Sequence, residues 1–314
     1  MKIRSIVLLL ILLVFAGCTN PWMENLVNPL VKDKSKEKDE GIVINVNSYE
    51  EWKTAIWLIE DLYWAGNNGF TIILTSDITV TDADPGGSTF SNDAYDINVT
   101  VIGNKTITLS GTGSLLNIVG DQTVILQNID LKGNTSTIND LPLVCVSSNS
   151  TFIMLGSASV SGNTTSTFPG SGVYVDGGTF IMNSGTVSGN TASGNGGGVY
   201  VTGDGSFTMN GGAVSGNTAT SNGGGVYVDG GTFTMNSGTV SGNTASGNGG
   251  GVYVTGYGGS FFMDGGMVYG DESGSIPPDN SASSGTALYV NGSDATVIVG
   301  GSTYLAGPYD FTLP

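Results

Sequence analysis

Gly172-Val173-Tyr174-Val175 returns as Gly198-Val199-Tyr200-Val201, Gly225-Val226-Tyr227-Val228 and Gly251-Val252-Tyr253-Val254, so its tyrosines step by 26, 27 and 26 residues. Two more phrases keep the beat across Ser171–Gly266. One is Thr179-Phe180-Ile181-Met182, repeated at Ser206-Phe207-Thr208-Met209, Thr232-Phe233-Thr234-Met235 and Ser260-Phe261-Phe262-Met263. The other is Val187-Ser188-Gly189-Asn190, repeated from Val214 and from Val240. A fixed period of this size marks a solenoid, propeller or array. Each unit holds three short runs of period-two alternation parted by Gly, Asn, Ser and Asp, the pattern of strands and turns. Twenty-six residues are too few for a four-stranded propeller blade, and Leu is too scarce for a leucine-rich repeat.

The chain is therefore expected to be all-β, one turn of a parallel β-solenoid per repeat, with three strands per coil stacked about 4.8 Å above the last. Alternation puts Phe180 and Met182 on the inner face together with Val173 and Val175, leaving Tyr174, Tyr200, Tyr227 and Tyr253 outward. Glycines serve the corners. Asn190, Asn217 and Asn243 are expected to stack at one corner as an amide ladder. Leu143-Val144-Cys145-Val146 and Leu288-Tyr289-Val290 extend the Tyr phrase in both directions. Before them, dense β-branched runs such as Phe70–Leu74, Val99–Ile102 and Val124–Leu126 read as early coils of a buried parallel sheet.

The repeat resembles the right-handed parallel β-helix of the pectate-lyase-like superfamily. Val187-Ser188-Gly189-Asn190-Thr191-Ala192 followed by Gly196-Gly197-Gly198-Val199-Tyr200 is similar to polymorphic outer-membrane protein repeats, which read Phe-x-x-Asn and then Gly-Gly-Ala-Ile. This chain departs from them with Val187, Val214 and Val240 in place of Phe, and Val199, Val226 and Val252 in place of Ala. The resemblance covers Ser171–Gly266 and implies an envelope protein used in adhesion.

Four segments follow. In 1–17, Lys2 and Arg4 precede the apolar run Ile6–Phe15 and Ala16-Gly17-Cys18, a secretory signal that is too short to span a bilayer. It resembles a bacterial lipoprotein signal, with Phe15 where Leu is usual, and this implies cleavage before a diacylglycerol-modified Cys18. Residues 18–41 read as a solvated tether, since Lys32, Lys34, Lys36 and Lys38 interleave with Asp33, Glu37, Asp39 and Glu40. Residues 42–68 hold the one helix pattern, Ser48–Ala65: Ser48 and Glu51 form a capping box, Ala55, Ile56, Ile59, Leu62 and Tyr63 make an apolar stripe, and Gly66 ends it. This helix is expected to cap the solenoid's open end. Residues 69–314 are the parallel β-helix, with an inserted loop at Asp271–Ser284. No amphipathic barrel segment precedes Pro314, so lipid is the expected anchor, at the outer membrane or cell surface.

The 314 residues carry 26 acidic and 9 basic side chains and no His. Without Lys2 and Arg4 the balance is 7 basic to 26 acidic, about −19, which disfavours nucleic acid and anionic lipid as partners. Cys145 is left as a lone buried thiol with no disulfide partner.

The resemblance to pectate lyases would imply an Arg base beside carboxylate-bound calcium, and to polygalacturonases a His and an Arg beside paired Asp. The only Arg is Arg4, and both families' machinery is incomplete here. Asp176 and Asp229 fall at equivalent positions two coils apart, near the separation of inverting glycosidase carboxylates; repetition alone also explains the pair. Asp82, Asp84 and Asp93 match positions one, three and twelve of an EF-type loop, but Gly86 replaces a ligand and Pro85 stiffens the turn. No catalytic residue, metal or cofactor is expected. The Tyr row Tyr174, Tyr200, Tyr227, Tyr253 and Tyr289 is the expected ligand surface, for glycan or peptide; its bland reading is a stack that only stabilises the sheet.

Overall fold

The computed structural model describes residues 31–32, 41–81, 89–90, 94–134, 139–270, 278–292, 294–304 and 307–309. The signal segment, Cys18 and the tether before Val31 lie outside these residues, as do Asp82, Asp84 and Asp93.

The chain winds as a parallel β-solenoid. One face is a ladder that starts at Ile42–Val46 and runs through Gly69–Leu74, the first half of Asn98–Leu109, the first half of Thr123–Lys132, Thr151–Leu155, Thr179–Met182, Ser206–Met209, Thr232–Met235, Ser260–Met263 and Thr296–Val299. Every step is parallel, and in the regular coils Phe lies on Phe and Met on Met. The alternation predicted this: Phe152, Phe180, Phe207, Phe233 and Phe261 are fully buried. Their rings stack at 4.6–5.2 Å between centroids, tilted by 6–22°. Rung spacing and preferred ring spacing thus coincide, which makes a column of identical aromatics favourable on this backbone.

A second row follows each Phe–Met strand after a short bend. It contains Ser159–Ser161, Thr186–Ser188, Ala213–Ser215 and Thr239–Ser241, and its central valines are buried. In two early coils, Asn98–Leu109 and Thr123–Lys132, both rows lie on one long strand, and the ladder between them slips at Ile102–Lys105. A fourth segment, two residues long, was not anticipated: Thr164–Thr165, Thr191–Ala192, Thr218–Ala219 and Thr244–Ala245 pair in parallel. The third face carries the Tyr phrase. Each regular coil therefore has four strand segments where three were expected; two residues are too few to display a period.

The corner between the second row and the Thr-Ala segment is closed by buried asparagines. Asn217 satisfies every polar atom of its side chain. Its Nδ2 donates to Val187 O at 2.9 Å and Asn243 Oδ1 at 3.0 Å, and its Oδ1 accepts from Asn190 N at 3.0 Å and Asn190 Nδ2 at 3.1 Å. The expected ladder of Asn190, Asn217 and Asn243 extends to Asn139, Asn163 and Asn280. Asn280 belongs to the stretch read as an inserted loop. Ser281 and Ser284 also pair in parallel with Thr244 and Asn248, so the coil resumes before Ser284.

Helix α1 (Tyr49–Trp64) lies between the first two strands of the Phe–Met face. The Ser48 side chain accepts from Glu51 N at 3.3 Å, while the Glu51 carboxylate accepts from Asn47 N, one residue earlier than a standard capping box. Gly66 stops the helix at φ +93°, and Asn67 N donates to Leu62 O. Trp52, Ala55, Ile59 and Leu62 enter the core, where Trp52 meets Phe90 edge-on at 6.0 Å. The helix thus covers the first turn from within it, because the ladder already begins at Ile42, ahead of the helix.

Antiparallel strands close both ends of the Phe–Met ladder and the far end of the Tyr face. Val31–Lys32 pairs with Val43–Ile44 at the start. At the far end, Ser302–Tyr304 covers Thr296–Val299 and Gly307–Tyr309 covers Leu288–Val290. Parallel growth by a further coil is blocked at those edges.

At Gly197 the next coil's backbone approaches so closely that a Cβ would lie 2.5 Å from Gly224 O and 2.6 Å from Thr218 O. At Gly194 a Cβ would meet nothing within 4 Å. Gly197→Ala is therefore expected to lower unfolding free energy by about 1–3 kcal/mol, and Gly194→Ala by less than about 0.5 kcal/mol. Denaturant titration of the two variants checks the contrast, and equal effects would contradict the corner geometry.

Candidate functional site

The Tyr face is built by Leu116–Ile118, Val144–Ser147, Val173–Asp176, Val199–Thr202, Val226–Asp229, Val252–Val254 and Leu288–Val290, all parallel. On either side of each tyrosine an inward valine or leucine is buried, so the pleat throws the phenol to the outer surface of the sheet. The register places Tyr174, Tyr200, Tyr227, Tyr253 and Tyr289 in one column. The five predicted residues are therefore brought together.

They stack on each other. Centroid distances are 5.5, 4.9, 5.0 and 5.4 Å along the column, and the tilt between rings falls from 23° to 3°. Phe168 closes one end edge-on against Tyr174 at 5.0 Å. As a result Tyr200, Tyr227 and Tyr253 expose only 9, 8 and 6% of their surface. Their faces are occupied by neighbouring tyrosines, so a sugar ring or peptide would meet edges and hydroxyls.

Asp229 braces the column. Tyr200 OH donates to its Oδ2 at 3.1 Å and Thr255 Oγ1 to its Oδ1 at 3.0 Å, one bond from the coil before and one from the coil after. Asp176 sits at the equivalent position two coils earlier, exposed, with Thr202 in register between the two. The pair differs in environment: one carboxylate is engaged by two hydroxyls and the other faces water.

Burial raises the pKa of the stacked phenols from Tyr174 to Tyr253. Tyr174 is pushed up to about 12, by desolvation first and then by the Asp176, Cys145 and Asp229 charges. Tyr200 and Tyr227 shift further in the same direction, by desolvation first and then by Asp229. Tyr253 is also raised, again chiefly by desolvation. These four phenols therefore stay protonated at ordinary pH.

Cys145 continues the column below Tyr174, with Asn117 beyond it. It is half-buried, 3.4 Å from Ser114 Oγ, and burial pushes its thiol up to about 11. A thiol held protonated in this way is a poor nucleophile.

A row missed by the sequence reading lies on the outer surface beside the Phe–Met ladder. Asn210 Nδ2 donates to Asn183 Oδ1 at 2.8 Å, and Asn236 Nδ2 donates to Asn210 Oδ1 at 2.7 Å. Its signal was present, since each of these asparagines follows the Met of the repeated phrase. Thr151, Thr179, Ser206, Thr232, Ser260 and Thr296 form a hydroxyl row on the same ladder.

Among the described residues, no group of three His, Cys, Asp or Glu side chains is placed to hold a metal ion, and no helix is long and apolar enough to cross a membrane. No protein-family model matches the chain, and neither a curated protein nor a solved structure matches it.

The raised phenols fix the alkaline behaviour of the fold. A folded-state value above the unfolded one, near 10, contributes stability that is complete below about pH 10 and lost as pH rises toward the folded values. Stability is therefore expected to hold to about pH 10 and fall steeply between about pH 10 and 12. Tyr200→Phe, Tyr227→Phe should flatten that fall. Denaturant titrations across this range, with phenolate absorbance as a second probe, check it; phenols titrating near 10 without unfolding would show the column to be open to water.

Proposed function

We propose that this chain is a lipid-anchored, non-catalytic β-helix protein of the bacterial cell envelope, presenting a repetitive surface for adhesion or glycan contact. In this reading Cys18 carries the lipid, the rod stands at the outer membrane or cell surface, and its repeats are related to those of polymorphic outer-membrane proteins on a pectate-lyase-like fold. The observation that carries it is the exact-register repetition of outward groups: hydroxyls, amides and phenols recur once per coil, about 4.8 Å apart. A polymer with its own short repeat meets many equivalent weak contacts at once, and avidity does the rest.

One observation favours a second reading, a purely structural or antigenically variable rod. The tyrosine faces are spent on one another, so the column explains itself as packing. The enzymatic reading, a polysaccharide lyase or hydrolase using Asp176 and Asp229, has less support. Asp229 is engaged by Tyr200 and Thr255, and the chain offers no His and no Arg beyond Arg4 to accompany the pair.

Full-length protein is expected to bind members of a glycan and extracellular-matrix array. Removal of one whole coil (residues 198–224) should weaken surface binding severalfold while leaving solution affinity for a short oligomer unchanged. A folded rod that binds nothing on the array would favour the structural reading. Polymer cleavage abolished by Asp176→Asn, Asp229→Asn would favour the enzymatic one.

A further inference from the structure

Helix α1 wears two tryptophans on the wrong side. Its core residues Trp52, Ala55, Ile59 and Leu62 define one face. Trp57 and Trp64, seven residues apart, occupy the opposite face together with Glu50, Thr54 and Asp61. They are 61 and 68% exposed, on a helix whose inward face is already fully used. Solvating two indoles at the outermost positions of a helix forgoes the burial that large aromatics ordinarily gain, so they mark an interaction surface.

Their place in the fold says which surface. The helix lies in the first turn of the solenoid, packed beside Ile42–Val46. Val31–Lys32 pairs back onto that same strand. The thirteen residues from Cys18 to Val31 reach at most about 45 Å even if fully extended. If Cys18 holds a bilayer, α1 is among the elements of the rod that the tether keeps nearest to it.

We infer that α1 docks on the membrane through Trp57 and Trp64, seated at the headgroup level of a zwitterionic phospholipid bilayer. This rests on the lipid-anchor reading above. The chemistry is that of interfacial aromatic anchors: an apolar ring body with an N–H that seeks polar headgroup atoms. Asp61, between the two indoles, keeps the face from entering hydrocarbon. An anionic surface is the wrong partner: Lys53 pairs Glu50 at 2.7 Å, but the chain without Lys2 and Arg4 still carries 7 basic against 26 acidic residues, about −19. Such docking would fix the rod's tilt, turning a loose tether into a two-point attachment.

The test uses full-length, processed protein with Trp22→Phe, reconstituted into phosphatidylcholine vesicles whose acyl chains are brominated near the headgroup. Bromolipid is expected to quench the emission that Trp57→Phe, Trp64→Phe removes and to spare the remainder, from buried Trp52. The quench should diminish as anionic lipid replaces zwitterionic lipid. The amino-terminal peptide's mass reports acylation of Cys18 separately. Acylation without quenching of Trp57 and Trp64 would overturn the docking and leave the anchor standing. An unacylated Cys18 would overturn the anchor, and the quench on vesicle-bound protein would still decide the docking. Self-association abolished by Trp57→Phe, Trp64→Phe would assign the face to a second copy and overturn the inference. Because neither side chain enters the core, the variants retain the fold for comparison.

Discussion

Everything in this rod depends on like lying upon like. A parallel ladder in strict register places each residue directly over its equivalent one coil away, about 4.8 Å distant. That distance suits very few self-pairings. Flat aromatic rings stack at it, as Phe180 on Phe207 at 4.6 Å and Tyr227 on Tyr253 at 5.0 Å. Carboxamides chain at it, because Asn donates upward and accepts from below with the same group. Charges do not, since like charges one rung apart repel. The repeat accordingly spends Phe, Tyr and Asn at its stacked positions, and where carboxylates recur, at Asp176 and Asp229, Thr202 stands between them.

The same constraint explains how much was legible. A self-stacking residue must recur at the coil period, so the tyrosines, phenylalanines and corner asparagines announced the register, the inner face and the parallel winding. What escaped notice did not recur or was too short to show alternation. Thr191–Ala192 contributes two residues to its sheet. Asn280 occupies the ladder 37 residues after Asn243, so an insertion hid a coil position that the hydrogen bonds reveal. Ile42–Val46 was hidden by the helix that separates it from the next strand. The antiparallel closures at Val31–Lys32, Ser302–Tyr304 and Gly307–Tyr309 occur once each, so no period could signal them.

The candidate site was legible in position but not in availability. Alternation placed the tyrosines outward, and they are outward. Whether an outward ring is free depends on the spacing to its own copy, and at 4.9–5.5 Å the copies consume each other's faces. The row's role shifts toward holding the sheet, with Asp229 tying three successive coils through Tyr200 and Thr255. The groups left for a partner are those that stack without covering one another: phenol edges, and the hydroxyl and amide rows beside the Phe–Met ladder.

A surface of this kind has a definite consequence for recognition. In the proposed role its contacts would be individually weak, uncharged and identical, so selectivity would come from matching periods over several coils and not from one pocket. The contrast with α1 follows from the same logic. The helix lies outside the repeat, so it can carry side chains that need not stack on copies of themselves. Trp57 and Trp64, exposed on its outer face, have no equivalents in the coils, since every other tryptophan precedes the repeats. Periodic positions serve the rod and any periodic partner; the aperiodic segment is where a single, non-repeating contact has to be placed.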